Sequence, residues 1–518
     1  MKRPSVHERG FANVLSFNIF DLPHHDGFLM TVSKVHFLDV ANGEFHGTSA
    51  DDLQNLFKEV EKGKSRDHLV VHFHGGLVSR NSAESTAETL LPDYIESGAY
   101  PIFFFWNSGA LQVLATNLHE VAKEPVFQRL LRRLAQLLVG KLTDPTGMRG
   151  PQIEIESIKD IPVEPEALLE WTRKHEPLPN TEIHELTNSQ RQQIQRELIL
   201  DTVLSAESRA IAATLREPAE IEWDLMTHSR GAPSVRASRR TLMSPSVLKR
   251  ICEEVPNPGT RSAATLLAIA NYGVEIAASV VGRYRRGHDH GLFATIAEEI
   301  ARSLYADSIG STVWALMKRD TEDAFGNDPH RHAGTAFIAN LLKWWKPGRR
   351  ITLIGHSTGA IYIGHLLVHA DRVLPSEAKF DVVLLAPACT YEFVHERISV
   401  FTNRISGFNM FALRDELERG YWEVPLLYPA SLLYMVSGLF EDPIIDMPIL
   451  GMQRYFHAAG SYDQLPIRAV VEWVNKRCVW AVSDAGSILW TGANKHGGFL
   501  EDSETRRSLK HILLNGFK

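Results

Sequence analysis

Ile351-Thr352-Leu353-Ile354-Gly355-His356-Ser357-Thr358-Gly359 is a short apolar run, rich in β-branched residues, that closes in G-x-S-x-G. Ala360, Ile361, Ile363, Leu366 and Leu367 then recur at near-helical spacing, so the stretch reads as a buried strand turning sharply into a helix. So tight a turn strains its central residue and brings two backbones together, which requires small residues on either side. Gly355 and Gly359 supply them. Ser357 is thereby presented at the strand tip, beside a helix N-terminus that favours developing negative charge. The pentad alone would also suit a serine cap after a glycine turn. Its strand and helix context makes Ser357 a candidate nucleophile.

Upstream, His68-Leu69-Val70-Val71-His72-Phe73-His74-Gly75-Gly76-Leu77 repeats the pattern of a strand ending in small residues, here as H-G-G. Acyl transfer builds negative charge on a carbonyl oxygen, and two backbone amides aimed at it stabilise that charge. The expected donors are an N–H from Gly75, Gly76 or Leu77 and the N–H of Thr358, the residue after the nucleophile.

A serine hydroxyl also needs a base to take its proton and return it to the leaving group. Of 23 histidines, His496 is singled out by position: it follows the last expected strand, Cys478 to Val482, in a loop rich in Gly, Ser and Asn. The acid that would orient it has several candidates. Phe408 to Leu413 reads as a strand, and Asp415 stands just past its end, with Glu416 and Glu418 on the same loop. A second reading takes Leu432 to Val436 as the strand and Glu441 or Asp442 as the acid. Leu432, Leu433, Met435, Val436, Leu439 and Phe440 recur at helical spacing, which favours Asp415.

The chain order Ser357, Asp415, His496, with H-G-G upstream, resembles that of the α/β-hydrolase superfamily over about residues 34–110 and 333–518. The resemblance implies a doubly wound, mostly parallel α/β sheet with the site at the C-terminal ends of the strands. With the apolar character and long insertion, it implies a lipase- or esterase-like serine hydrolase that cleaves a carboxylic ester through an acyl-enzyme, without a cofactor or metal. The expected substrate is a small-molecule or lipid-like ester. A peptidase or amidase would use the same residues. A hydrolase-derived scaffold or binding protein is the alternative from a different class. His74-Gly75-Gly76-Leu77 holds less glycine than the usual lipase motif, so acyl-pocket geometry does not carry over.

Thr227-His228-Ser229-Arg230-Gly231 imitates the pentad without its first glycine. Ile221 to Met226 alternates polar and apolar residues, unlike a buried central strand, and Thr227 would crowd the turn, so Ser357 is preferred over Ser229.

The chain has 518 residues, enough for a large core and an added region. Its 44% hydrophobic and 23% charged content is that of a globular protein. A net charge of −7 gives no general attraction to nucleic acid, and basic clusters at Arg236 to Arg240 and Arg283 to Arg286 read as solvated helix faces. Three scattered cysteines, Cys252, Cys389 and Cys478, suggest neither a disulfide framework nor a zinc pattern. No secretory h-region is read in the first thirty residues, and a cytoplasmic setting is expected. Ala263 to Val281 is the longest apolar stretch, but Asn271, Gly273 and Glu275 near its centre favour a packed helix over a membrane span. Transient contact with a membrane surface remains compatible with this reading. The histidine pairs His24/His25, His288/His290 and His330/His332 lie among turn formers and read as loops rather than metal ligands.

Three parts are expected. Residues 1–110 form the first half of the core: a strand from Lys34 to Val40, a helix from Ala50 to Glu61, the H-G-G strand, a helix from Ala83 to Ser97 and a strand from Ile102 to Trp106. Residues 111–330 form a mainly helical cap, with helices at Val126–Leu142, Ser189–Leu215 and Leu292–Lys318, and offer a surface to a partner protein. Residues 331–518 resume the core with a helix from Thr335 to Trp345.

Overall fold

The structure, a computed structural model, describes residues 32–517 except 77, 108–110, 144–166, 168–169, 172–182, 214–240, 254–260, 310, 421–427, 442–444, 457–461, 475 and 484–486. Leu77, Asp442, the Ser229 pentad, the His24/His25 pair and Arg236 to Arg240 therefore lie outside the described residues.

Among the described residues one eight-stranded sheet forms from β1 (Phe37–Ala41), β2 (Glu44–Phe45), β3 (His68–Phe73), β4 (Tyr100–Asn107), β5 (Arg350–His356), β6 (Phe380–Leu385), β7 (Ile405–Leu413) and β8 (Cys478–Ala481). Their spatial order is β2-β1-β4-β3-β5-β6-β7-β8, and every neighbouring pair is parallel except β1 with β2. Parallel neighbours cannot be joined by a two-residue turn, so helices carry the crossovers. They are α1 (Ala50–Lys62) and α2 (Arg80–Glu96), then a long helical stretch. That stretch holds α3 (Leu111–Lys123), α4 (Pro125–Thr143), α5 (Asn188–Ile199), α6 (Thr202–Ala212), α7 (Pro245–Glu253), α8 (Arg261–Arg286), α9 (Leu292–Ile309) and α10 (Ser311–Asp323). Next, α11 (Ala333–Trp344) leads into β5 and α12 (Gly359–Val373) leaves it. The remainder are α13 (Tyr391–Arg404), α14 (Asp415–Glu418), α15 (Leu432–Met435), α16 (Gln453–Phe456), α17 (Leu465–Val474) and α18 (Ser503–Asn515).

Both sheet faces are covered. His72 and Phe103 meet Tyr94 of α2, whereas the next residues along their strands, Phe73 and Phe104, meet Tyr362 of α12 and Phe337 of α11. Successive strand residues point to opposite faces, so α2 lies on one side and α11 and α12 on the other. There α1, α11, α12, α13 and α17 form a continuous row, and α2 packs against α18 on the opposite face. Coverage on two sides explains why β3, β5 and β6 are nearly uninterrupted apolar runs. The architecture is α/β with a mostly parallel sheet, compatible with a doubly wound arrangement. After β3 the chain crosses to β4 on one side, and after β5 to β6 on the other. The crossovers leaving these two adjacent strands diverge, which makes their C-terminal ends the topological switch point of the sheet.

Three local expectations change. Asn42 (φ 51°) and Gly43 (φ 75°) make a tight turn that adds the short strand β2, beyond the expected single strand. The expected Ser189–Leu215 helix is broken at Asp201, whose carboxylate caps α6 by accepting from the N–H groups of Val203 and Leu204. Leu292–Lys318 is likewise two helices, and Tyr305 already departs from helical geometry (φ −130°, ψ 21°). By length and composition α8 could cross a membrane. It packs against α5, α6 and α9, and its Arg283 is buried against Glu298 and Glu299.

Candidate active site

Ser357 sits between β5 and α12 with φ +53°, in the left-handed region that costs a non-glycine residue on the order of 1–2 kcal/mol. The surroundings hold it there. Its N–H donates to the carbonyl of Leu385 at the end of β6 (2.8 Å), and its carbonyl accepts from Ala360 and Ala388 (both 3.1 Å). The flanking glycines are required by contact. A Cβ at Gly359 would stand 2.5 Å from the carbonyl oxygen of Phe73 on β3, and one at Gly355 would stand 2.7 Å from Cδ1 of Ile363 and 2.9 Å from the backbone of Gly359. Gly359→Ala must push the end of β3 away from the start of α12, so it is expected to cost about 1–3 kcal/mol in denaturant unfolding.

The H-G-G loop lies directly against this turn. A Cβ at Gly75 would be 3.2 Å from Cβ of Ser357, and one at Gly76 would be 2.7 Å from Oγ1 of Thr358. Bare backbone therefore borders the serine from the β3 side. Thr358 heads α12, where N–H groups have no acceptor within the helix. The structure thus brings Gly75, Gly76, Ser357 and Thr358 together; Leu77 lies outside the described residues.

His74 keeps the loop in place rather than entering the chemistry. Its ring stacks on Trp106 of β4 (5.6 Å, 11°), Nδ1 donates to the carbonyl of Gly75 (2.7 Å), and Nε2 accepts from the N–H of Trp106 (3.1 Å). Burial holds its pKa down to about 4, so it is neutral at physiological pH. Phe103 and Phe104 of β4 fill the core on the two faces of the sheet.

His496 begins a short 3₁₀ turn, His496–Gly498, and comes to the same rim. Its ring lies 5.3 Å from that of His356, and its carbonyl accepts from Nε2 of His356 at 3.1 Å. The imidazole is buried, with its pKa lowered by burial and by His356, and neither ring nitrogen has a hydrogen-bond partner. Leaving such groups unmade costs about 1–3 kcal/mol each. Oγ of Ser357 makes no hydrogen bond to this ring, whose link to the nucleophile turn runs through His356; an imidazole with two free nitrogens is nonetheless equipped to accept and return a proton.

The expected link from Asp415 to His496 is absent. Asp415 does begin α14 at the end of β7, but its Oδ1 accepts from the Tyr434 hydroxyl (2.5 Å) and its N–H donates to Gln453 (3.0 Å). The rivals are also engaged: Glu418 is buried against Ser431, and Glu441 accepts from Nε1 of Trp314 (2.7 Å) and Nζ of Lys318 (2.6 Å). Glu416 is exposed. Trp314 and Lys318 belong to α10, and Met317 between them would lie 3.1 Å from a Cβ at Gly76. The insertion therefore reaches the rim, and Ser357, Thr358 and His496 are only 2%, 1% and 3% exposed.

His288 and His290 are also brought to carboxylates, bonding to Asp446, with Glu298 on the other nitrogen of His290. Among the described residues no group of three or more His, Cys, Asp or Glu is arranged to hold a metal ion. Sequence reasoning missed His74, His356 and Met317. His74, as the histidine of H-G-G, and His356, as the residue before the serine, carried a positional signal, whereas Met317 carried none. No protein-family model matches the chain, and neither a curated protein nor a solved structure does.

Proposed function

We propose that the protein is a serine hydrolase of carboxylic esters, built on an α/β-hydrolase-like core with the helical insertion as its cap. The observation that carries the reading is Ser357 at φ +53° between two glycines that contact forbids enlarging, with the H-G-G backbone against it. Oγ of Ser357 attacks the ester carbonyl carbon while His496 takes the hydroxyl proton. The resulting oxyanion is held by backbone N–H groups of the Gly75–Gly76 loop and of Thr358. Collapse expels the alcohol, which receives the proton from His496 and leaves an acyl-serine. Water, deprotonated by His496, then releases the carboxylic acid and restores Ser357. The nearness of Met317 to this rim supports an apolar acyl portion. Longer p-nitrophenyl esters are expected to turn over better than the acetate, and a marked preference for acetate would remove that part.

Asp415 is proposed as the orienting acid, because β7 and β8 are neighbours and Leu413 pairs with Ala481, the residue from which the chain leaves toward His496. That role requires Asp415 to exchange Tyr434 for the imidazole. Asp415→Asn is then expected to lower kcat by about 10²–10⁴-fold, whereas Tyr434→Phe, which frees the carboxylate, should not lower it. Equal small effects from both would confine Asp415 to a structural role and move the acid to Glu418 or Glu441.

The direct test is a fluorophosphonate probe. Wild type should be labelled, Ser357→Ala should not, and a folded wild type that takes no label would favour a binding or scaffold protein.

A further inference from the structure

We propose that His356 is a positioning residue that fastens the His496 loop above the nucleophile through the hydrogen bond from its Nε2 to the His496 carbonyl. This rests on the hydrolase reading and assigns it a residue beyond the triad types.

His356 is the last residue of β5, the strand that carries Ser357. It is buried, and a Cβ at Gly75 would stand 3.3 Å from its Nδ1. Its ring therefore lies between the H-G-G loop and the His496 loop, next to the serine that both serve. His496 itself arrives on a long connection from β8, and its side chain makes no hydrogen bond that could set its place. The backbone carbonyl of His496 is thus the point at which the loop is tied to β5, 140 residues away in sequence. Since the acceptor is a carbonyl, Nε2 of His356 must carry the proton. One rigid strand end consequently positions both the nucleophile and the base, and an error of about 1 Å in such a pair can cost about a hundredfold in rate.

The contrast between Gln and Asn at this position isolates the bond. The amide nitrogen of Gln falls close to where Nε2 of His lies and can still donate to the carbonyl; that of Asn falls about one bond length short. His356→Asn is expected to slow both fluorophosphonate labelling and kcat by about a hundredfold with KM little changed, and His356→Gln should restore most of the loss. Hydrogen exchange supplies a second readout: protection should fall in residues 493–500 of His356→Asn and remain elsewhere, as local rather than global loosening requires. His356→Leu would agree with the Asn variant if it folds, and the Asn–Gln pair decides the matter if it does not. Wild-type labelling with equal rates in the Asn and Gln variants would overturn the positioning role and leave the hydrolase standing. A folded wild type that takes no label would remove both.

Discussion

His496→Gln is expected to lower turnover of a p-nitrophenyl ester by a factor on the order of 10⁴ or more without unfolding the protein. The loss is large because the imidazole acts twice, taking the proton from Ser357 and returning it to the departing alcohol. The fold should survive because neither ring nitrogen is bonded in the structure, so the substitution breaks no internal hydrogen bond, and the backbone carbonyl that accepts from His356 is retained. Ser357→Ala should cost a similar factor. The double variant should be no worse than either single one, since nucleophile and base act as a unit. Additive losses would mean that His496 contributes through something other than proton transfer to and from Ser357. Steady-state kinetics on the three variants, with circular dichroism to verify the fold, checks this.

Arg283→Met is expected to destabilise the protein by about 3–5 kcal/mol, the usual result of stranding a buried charge. Arg283, near the C-terminus of α8, is 1% exposed and pairs with Glu298 at 2.5 Å and Glu299 at 3.1 Å on α9. Glu298 also accepts from Tyr428 and meets His290, which reaches across to Asp446 at 2.7 Å. Asp446 in turn bonds Tyr455 and Tyr462, so the network joins the insertion to the segment between β7 and β8. Burial alone would raise the pKa of Glu298, but Arg283 and His290 outweigh it and hold the pKa at about 2, against an ordinary 4.5. The folded value is depressed, so the stability this carboxylate contributes is fully present above pH 4.5 and is lost as pH falls toward 2. The deficit of Arg283→Met should therefore shrink over that window. Denaturant midpoints at neutral pH and near pH 3 measure both effects. A constant deficit across the window would place its origin in lost packing.

Those parts of the site governed by short-range sterics were legible in the sequence. A serine between glycines at a strand-to-helix turn has few conformations open to it, and the contacts of Gly355 and Gly359 are the ones that the turn demands. The meeting of H-G-G and G-x-S-x-G at one end of the sheet followed as well, because they end two strands that prove to be neighbours. What escaped depended on partners distant in the chain. Nothing near Asp415 announces that Tyr434 will hold its carboxylate, or near His356 that a carbonyl so far along will accept its proton. His288 and His290 read as loop residues because their carboxylates, apart from Glu298, lie more than a hundred residues on. The β1–β2 turn was the exception: Asn42-Gly43 is a strong local hairpin signal that the strand on one side of it had overshadowed.

Trapping the acyl-enzyme is the most direct measurement of the central claim. Acid quenching during the first turnover of a p-nitrophenyl ester, followed by tryptic digestion, should place the acyl mass on residues 351–372, the peptide bounded by Arg350 and Arg372 that contains Ser357. The account predicts that adduct together with a stoichiometric burst of p-nitrophenol, both absent from Ser357→Ala. An acyl group on any other peptide, or hydrolysis that persists in Ser357→Ala, would contradict it.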